Sequence, residues 1–152
     1  MKYFTPEWWA SGCDDAQMVF QQYENYLASI RPQLPPKLVE LEAEHTLHDA
    51  EIKHIVSDFN NRTVTMILNG WNRKLEYPVR YTVHFSDVSL FDQRLPQQDY
   101  VEEELGDLGY WECEVIGSAI ELRMLFVSSA EFRIVFADFD FTHERLKIKQ
   151  KD

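Results

Sequence analysis

The sequence is poor in cysteine and in positive charge. It has two cysteines in 152 residues, Cys13 and Cys113, and 15 lysines and arginines against 26 acidic residues, for a net charge of −11 at pH 7. Two cysteines far apart in the sequence do not make the dense disulfide framework of a small secreted domain, so we expect free thiols. A chain this acidic repels phosphate backbones and anionic lipids, which argues against a nucleic-acid or membrane partner.

Long apolar runs and familiar catalytic motifs are also missing. No stretch is apolar enough to span a bilayer, and Pro6 and Glu7 stand where a signal peptide would continue with apolar residues. We therefore expect a cytoplasmic protein. The sequence has no glycine-rich nucleotide motif, no nucleophile-elbow motif and no paired-cysteine or paired-histidine zinc motif. These absences favour a non-enzymatic protein without a cofactor, although they leave an enzyme open.

What the sequence does have is enough apolar side chains for one folded core. Hydrophobic residues make up 45% of the chain and aromatic residues 14%, which excludes a disordered or low-complexity chain. The length suits a single domain covering residues 1–152. Residues 1–44 have the signals of a helical N-terminal arm, residues 45–142 have those of an antiparallel β region, and residues 143–152 are read as a basic tail.

Two helices are predicted in the N-terminal arm. Thr5 is a suitable N-cap, and Pro6 a suitable first residue, for a short helix that contains both tryptophans of that stretch. Apolar residues then recur at helical spacing from Asp14 to Arg31, which predicts a longer helix. Prolines at positions 32, 35 and 36 interrupt this pattern, so residues 37–42 should form no more than a turn or two.

The β region is expected to contain about six strands. Apolar and polar residues alternate most clearly from Leu75 to Phe85, and Gly117 with Ser118 predicts a hairpin turn. The last strand has apolar residues on both faces, which is typical of an inner strand. We therefore predict an α+β fold in which N-terminal helices pack on an antiparallel, mostly meander β-sheet. The predicted strands are 50–56, 64–68, 75–85, 110–116, 119–127 and 131–141.

The long connection between Ser86 and Gly109 has no clear period and is strongly acidic. A connection of this length is often functional. Its carboxylates either solubilise a loop or form a negative patch that meets a basic partner by charge complementarity. The acidity of the whole chain shifts the balance towards a partner. The predicted partner-binding residues are Asp99, Glu102, Glu103, Glu104 and Asp107.

One polar cluster offers ligands for a metal ion. His45, His48 and Asp49 combine imidazole and carboxylate groups, which bind many divalent metals. Side chains at this spacing meet only on a helix, whereas the pattern here changes from helix to strand. The simpler interpretation, which we favour, is that Asp49 satisfies a turn and His48 hydrogen-bonds to the backbone. A metal site, or an enzyme built on one, is the alternative.

Two acid pairs and the cysteines also allow two interpretations. Glu112 and Glu114 share one face of their predicted strand, as Asp138 and Asp140 do on theirs, which suits either a catalytic pair or a solvated face. We favour the solvated face, because apolar residues alternate with both pairs. Neither cysteine has a neighbouring histidine or basic residue in sequence to activate it, so we treat both as small apolar side chains.

Two short stretches carry a family resemblance. The chain opens with Met-Lys-Tyr-Phe-Thr at residues 1–5, and Leu-His-Asp-Ala-Glu at residues 47–51 leads into a hydrophobic strand. Both resemble a group of small, uncharacterised bacterial domain families, and some similar domains are immunity proteins of polymorphic or contact-dependent toxin systems. The resemblance implies a fold and a toxin partner but no reaction. It carries over to His48, Asp49 and Ala50, and no catalytic role comes with them.

The leading hypothesis is therefore a non-enzymatic, immunity-like protein that neutralises a toxin through an acidic surface. The resemblance supplies the toxin, and the charge supplies only the expectation of a basic partner. The alternative is a metal-binding domain or enzyme that uses His45, His48 and Asp49. A third hypothesis is a self-associating module in which Trp8 and Trp9 pair two chains through an aromatic patch, so a homo-oligomer stays open.

Overall fold

The computed structural model describes residues 1–95 and 105–148. Within these residues three α-helices precede all of the strands: α1, Pro6–Ala10; α2, Ala16–Ile30; and α3, Pro36–Glu44. The predicted α+β class, with N-terminal helices and antiparallel pairing, is confirmed. None of the described helices has the length and apolar composition needed to cross a membrane.

Eight strands follow in the same part of the chain, and they form two sheets. Their bounds are β1, Glu51–Asp58; β2, Thr63–Trp71; β3, Pro78–Ser86; β4, Leu90–Arg94; β5, Leu108–Ile116; β6, Ala119–Phe126; β7, Glu131–Phe136; and β8, Asp138–Arg145. The first sheet has the strand order β1-β2-β3-β8 and the second has β4-β7-β6-β5. The prediction of about six strands in one sheet was wrong, because β4 and the break between β7 and β8 were missed.

Each sheet is a three-stranded meander completed by one strand that continues from the other sheet. The meanders are β1-β2-β3 and β5-β6-β7. β4 continues from β3 but pairs with β7, and β8 continues from β7 but pairs with β3. These strands form one ribbon that bends from sheet to sheet. At the bend, Ala137 N–H donates to Ser86 O at 3.2 Å and Ser89 N–H donates to Val135 O at 2.9 Å.

The bend explains the apolar residues on both faces of the last predicted strand. Phe132 and Phe136 are buried from β7, whereas Phe139 and Phe141 are buried from β8. The buried phenylalanines have even numbers in β7 and odd numbers in β8, because the chain bends at the exposed Ala137 between the two sheets. What looked like one inner strand is two strands, each with one buried face.

The two sheets also meet along their opposite sides. Leu108, at the start of β5, forms an isolated antiparallel bridge with Ala50, just before β1, and its N–H donates to Ala50 O at 2.8 Å. Ala50 is fully buried and lies against Gly70, where a Cβ atom would stand 2.9 Å from the Ala50 Cβ. A larger side chain at either position would not fit this close-packed contact. The motif residue Ala50 therefore has a structural role.

One apolar core fills the space between the sheets, and α3 closes one end of it. β2 and β3 alternate between buried and half-exposed or exposed residues along most of their lengths. α3 is longer than the predicted turn or two, because Pro36 starts it and its buried Leu38 and Leu41 pack on the core. The largest fully buried side chains include Met66, Leu68, Tyr81, Phe85, Phe126 and Phe136.

The N-terminal helix was predicted correctly, whereas the C-terminal tail was not. Thr5 caps α1 as expected, with its Oγ1 accepting the N–H of Trp8 at 3.1 Å. The predicted basic tail begins too early, because β8 extends to Arg145, which pairs with Val79. The guanidinium of Arg145 also lies over the ring of Tyr77, 4.3 Å from its centroid.

Candidate functional site

A buried ionic network lies on the outer face of the second sheet. The carboxylate of Glu112 is fully buried and accepts the backbone N–H groups of residues 2–4, at 2.9 Å from Tyr3 and 3.2 Å from Phe4. The Nε of Arg123 lies 3.1 Å away, as an ion pair rather than an aligned hydrogen bond. The solvated face predicted for Glu112 was wrong, because the N-terminal segment covers that face.

The same arginine neutralises the neighbouring acids. Its Nη1 donates to Glu114 at 2.9 Å and lies 3.6 Å from Glu121, which is itself buried. Buried charges are tolerated when they are paired and hydrogen-bonded in this way. Because these groups bind one another and the N-terminal backbone, the network is a structural device that fastens the N-terminal segment to the sheet.

α2 covers the free edge of β5. The hydroxyl oxygens of Tyr23 and Tyr26 accept the N–H groups of Cys113 and Val115 at 2.7 and 3.0 Å. The Nδ1 of His48 lies 2.7 Å from the carbonyl oxygen of Gly109 on the same edge. An open strand edge invites pairing with another chain, and these side chains block it. The predicted backbone hydrogen bond of His48 is confirmed.

A groove of about 810 Å³ lies between α2, α3 and β5. Its volume is in the range of small-ligand and side-chain pockets. About half of its lining residues are aromatic or aliphatic, and the others include two carboxylates, those of Glu24 and Glu42, together with arginine and histidine side chains. The lining includes Phe20, Tyr23, Leu27, Glu42, Tyr110 and Trp111.

Glu42 is the chemically distinctive residue of the groove. Its Oε1 accepts the indole N–H of Trp111 at 2.8 Å and lies 3.9 Å from the thiol of Cys113. Burial raises the pKa of this carboxyl from 4.5 to about 7, although the bonds from Trp111 and Cys113 and the charge of Arg73 favour the ionised form. Its ionisation is therefore balanced near neutral pH. Glu42 was not predicted as a site residue, because it lies in a segment that was expected to form only a short turn.

Cys113 and Tyr23 stay neutral beside it. Burial, the largest cause, and the nearby charge of Glu42 raise the pKa of the Cys113 thiol well above its usual value. Burial likewise raises the pKa of the Tyr23 hydroxyl. Since the thiolate is the reactive form of cysteine, Cys113 is inert here. The expectation of free cysteines is confirmed, and the packing of Cys113 matches its reading as a small apolar side chain.

The structure does not bring the predicted metal ligands together. His48 Nε2 lies 3.7 Å from Asp49 Oδ1, but the ring of His45 turns towards β8, with its centroid 4.5 Å from that of His143. Within the described ranges, the three side chains that can share a metal ion are Glu40, Glu44 and His45, whose ligand atoms lie within 4.8 Å of one another.

That alternative cluster already holds a cation. The ammonium of Lys37 donates to Glu40 at 3.0 Å, and a metal ion would have to displace it. Burial and the adjacent His143 lower the pKa of His45, against the acids beside it. We therefore place no metal centre on these residues. Asp49 has a φ of 61° and takes the turn role that the sequence suggested for it.

A cluster of aromatic rings, all but Phe4 at least partly exposed, surrounds Tyr110. Its ring centroid lies 5.2 Å from that of Phe4, 5.3 Å from that of Trp8 and 5.1 Å from that of Trp9. Phe20 joins the cluster and is 44% exposed. Trp8 and Trp9, which the sequence offered for contact with a second chain, thus pack on Tyr110 of their own chain. Tyr110 was not singled out by the sequence, because only the fold assembles its neighbours.

Acidic residues lie near these rings along the chain or one helical turn away. The indole N–H of Trp8 donates to the carbonyl oxygen of Asp14 at 2.7 Å, and Glu24 lies one helical turn after Phe20 on α2. Burial first, then the thiol of Cys13 and the charge of Asp49, raise the pKa of Tyr110 to about 12. We call this region the acidic-aromatic surface. It comprises the rings of Trp8, Trp9, Phe20 and Tyr110 and the acids Glu7, Asp14, Asp15, Glu24 and Asp49.

The predicted acidic connection lies mostly beyond what the structure describes. Asp99, Glu102, Glu103 and Glu104 are outside the described residues, whereas Asp107 is exposed and its carbonyl oxygen accepts Val127 N–H at 2.9 Å. The second acid pair, Asp138 and Asp140, is exposed on β8, as expected of a solvated face.

Comparison with known proteins adds no functional assignment. No family model and no curated protein matches the chain. Among solved structures, the chain is similar to an uncharacterised protein from Neisseria gonorrhoeae, with a TM-score of 0.44 and 13% sequence identity over 63% of this chain and 92% of that chain. A similarity of this degree carries no argument about function.

Proposed function

We propose that this protein is a non-enzymatic protein-binding domain that binds a basic protein through its acidic-aromatic surface. An immunity protein, which neutralises a toxin by binding it, is the form of this function that the opening residues and the Leu47–Glu51 motif suggest. We place the protein in the cytoplasm as part of the proposal, since both cysteines are free thiols.

The observation that supports the proposal is the combination of rigid aromatic rings with unpaired carboxylates. Aromatic side chains held in place by their neighbours are the usual energetic centres of protein interfaces. Among the described residues, no cation lies within ion-pair distance of Glu7, Asp14, Asp15 or Glu24. These charges are therefore free to meet the cations of a partner.

The two components have different roles in association. Exposed carboxylates steer a basic partner towards the surface and raise the association rate, an effect that salt screens. The rings supply the apolar contact area that determines how slowly the complex dissociates. Binding a partner through such a surface requires no catalytic group.

The test is capture of a partner from a native lysate with matched charge variants. In the surface variant, Glu7 and Glu24 become Gln while Asp14 and Asp15 become Asn. A control variant makes the same change of charge elsewhere, at the exposed Glu76, Asp87, Asp92 and Glu144. A third variant neutralises Glu102, Glu103, Glu104 and Asp107, the predicted acidic connection.

We expect one basic protein to be retained by the wild type and the control and lost with the surface variant. The same protein, purified, should bind with an association rate that falls steeply as salt rises. Equal losses with the surface and control variants would show non-specific attraction to net charge and contradict the proposal. Loss with the third variant alone would move the contact to the acidic connection.

A further inference from the structure

We propose that the groove between α2, α3 and β5 binds a cationic side chain of the basic partner, an arginine or a lysine, with the carboxylate of Glu42 as its counter-ion. The inference rests on the proposed function in one respect, namely that the partner is basic. It identifies a binding residue on α3, in a groove that Glu24 of the acidic-aromatic surface also lines.

The hydrogen bonding of Glu42 leaves one oxygen free. Oε1 is held by the indole N–H of Trp111, whereas Oε2 has no hydrogen-bond partner among the described residues and is not among the fully buried unpaired atoms. Because Glu42 lines the groove, this oxygen is accessible from it. A carboxylate fixed through one oxygen and open through the other is prepared to accept a charge-assisted hydrogen bond.

The walls of the groove suit an organic cation. Tyr23, Tyr110, Trp111 and Phe20 contribute aromatic side chains, and cations bind favourably over aromatic faces, most strongly when water is excluded. Guanidinium groups combine planar stacking with paired hydrogen bonds to a carboxylate, which fits this lining best. The groove opens beside Phe20 and Tyr110, so it is continuous with the acidic-aromatic surface.

Two resident arginines also line the groove, and neither lies within ion-pair distance of the free oxygen. The Nη1 of Arg73 donates to the carbonyl oxygens of Glu42 and Ala43, at 3.1 Å for the first, and so binds the C-terminal end of α3. Arg31 is exposed where α2 ends. Neither guanidinium forms an ion pair with the Glu42 carboxylate.

Cation binding should depend on pH because Glu42 must be ionised. The groups that face its carboxylate are Tyr23 from α2, Trp111 and Cys113 from β5, and Arg73 from the segment between β2 and β3. Of these, the tyrosine and the thiol stay neutral between pH 6 and 8, because burial raises the pKa of both. The other charged or titratable residues of the lining are Glu24, Arg31, His45 and His48. Since the pKa of Glu42 is about 7, we expect binding to be about tenfold weaker at pH 6 than at pH 8.

The experiment titrates the full chain with N-acetyl-arginine amide and follows the indole N–H signal of Trp111 by NMR. Trp111→Phe assigns that signal. We expect a saturable shift at pH 8, with a dissociation constant on the order of 1 mM for so small a probe. N-acetyl-citrulline amide, which has nearly the same shape without the charge, should produce no shift.

Two variants complete the test. Glu42→Gln keeps an oxygen for Trp111 but removes the charge, so its spectrum should stay folded and its response to the arginine probe should be lost. Glu40→Gln lies on the same helix outside the groove lining and should respond like the wild type. An equal response of Glu42→Gln, or equal binding of the citrulline probe, would overturn the proposal. So would a stronger response to N-acetyl-glutamate amide.

Failure of this inference can be told apart from failure of the proposed function. If the arginine probe binds through Glu42 but no partner depends on the acidic-aromatic surface, the groove remains a cation site and the protein-binding role falls. If a partner is captured but neither the probe nor capture responds to Glu42→Gln, the groove inference alone falls.

Discussion

The two sheets have four strands each, but their outer faces differ. In the first sheet, β8 carries Asp138 and Asp140 outward into solvent. In the second sheet, Glu112 and Glu121 also lie on the outer face, but they are buried and paired with Arg123. Alternation along a strand therefore tells which residues share a face. It does not tell whether another segment of the chain will cover that face.

The edges of the sheets show the same contrast. On β8, the carboxylates of Asp138 and Asp140 accept the N–H groups of Phe139 and Phe141, both at 2.8 Å. This edge is protected by its own side chains, whereas the edge of β5 is protected by α2. At these two edges, the first sheet thus relies on its own side chains, whereas the second relies on α2.

Breaking the buried network should give the largest effect. Glu112→Ala removes the acceptor for three backbone N–H groups and leaves Arg123 with a buried charge only partly compensated. We expect a loss of about 3 to 5 kcal/mol in the free energy of unfolding, measured by urea denaturation. If this variant does not fold, Glu112→Gln should give a smaller loss in the same direction.

The matched control lies on the first sheet. Asp140→Ala removes a carboxylate from an equivalent alternating position, but an exposed one, and should cost less than about 1 kcal/mol. Equal losses for the two variants would show that the outer faces of the sheets do not differ in the way described.

The docking of α1 on the second sheet can be broken at Gly109. A Cβ atom at this position would collide with the indole ring of Trp9. We expect Gly109→Ala to cost about 1 to 3 kcal/mol in unfolding free energy through overpacking, with a change in the near-ultraviolet circular dichroism of the tryptophans. In a Trp9→Leu background the loss should largely disappear. An unchanged loss there would point to another cause.

Glu42 should make the free energy of unfolding depend on pH. Its pKa is about 7 in the folded protein and about 4.5 when unfolded, so between these values the folded state holds the proton more tightly. The contribution of Glu42 to the free energy of unfolding is therefore greatest below pH 4.5, and it decreases as the pH rises through 7. We expect Glu42→Gln to be more stable than the wild type by about 3 kcal/mol at pH 8, and similar at pH 4.5. A wild-type advantage at pH 8 would contradict this.

The smallest effect is expected at the edge of β5. Tyr23→Phe removes the oxygen that accepts Cys113 N–H and leaves this donor buried without a partner, at a cost of about 1 to 2 kcal/mol. Amide hydrogen exchange at Cys113 should accelerate. Tyr77→Phe serves as a control, because the Tyr77 hydroxyl has no hydrogen bond among the described residues; a similar loss there would argue against edge protection.

Local signals predicted most of the elements of this fold, but they missed β4, the full length of α3 and the break between β7 and β8. Thr5 correctly predicted the start of α1, and Gly117 with Ser118 predicted the β5-β6 hairpin, because a cap and a tight turn are determined by neighbouring residues. The bend at Ala137 was not predicted. When the buried positions change from even to odd numbers within one apolar stretch, the sequence looks like a single strand with two apolar faces. Glu42 was missed because its burial depends on packing against residues that are distant in the sequence.

The candidate site was less predictable than the fold for a related reason. His48 was correctly expected to bond to the backbone, because its neighbours favoured a turn. Glu42 and Tyr110 acquire their properties from Trp111, Cys113 and the aromatic rings, which come from distant parts of the sequence. A pKa raised by burial has no local signal.

The bent ribbon has a consequence for the order of folding. The β1-β2-β3 and β5-β6-β7 meanders each consist of neighbouring strands, so each can form after closing only short loops. The ribbon pairs β3 with β8 and β4 with β7, and it needs both meanders in place. Because non-local pairing is slow, we expect this ribbon to form last, as the step that commits the two halves to one cooperative unit.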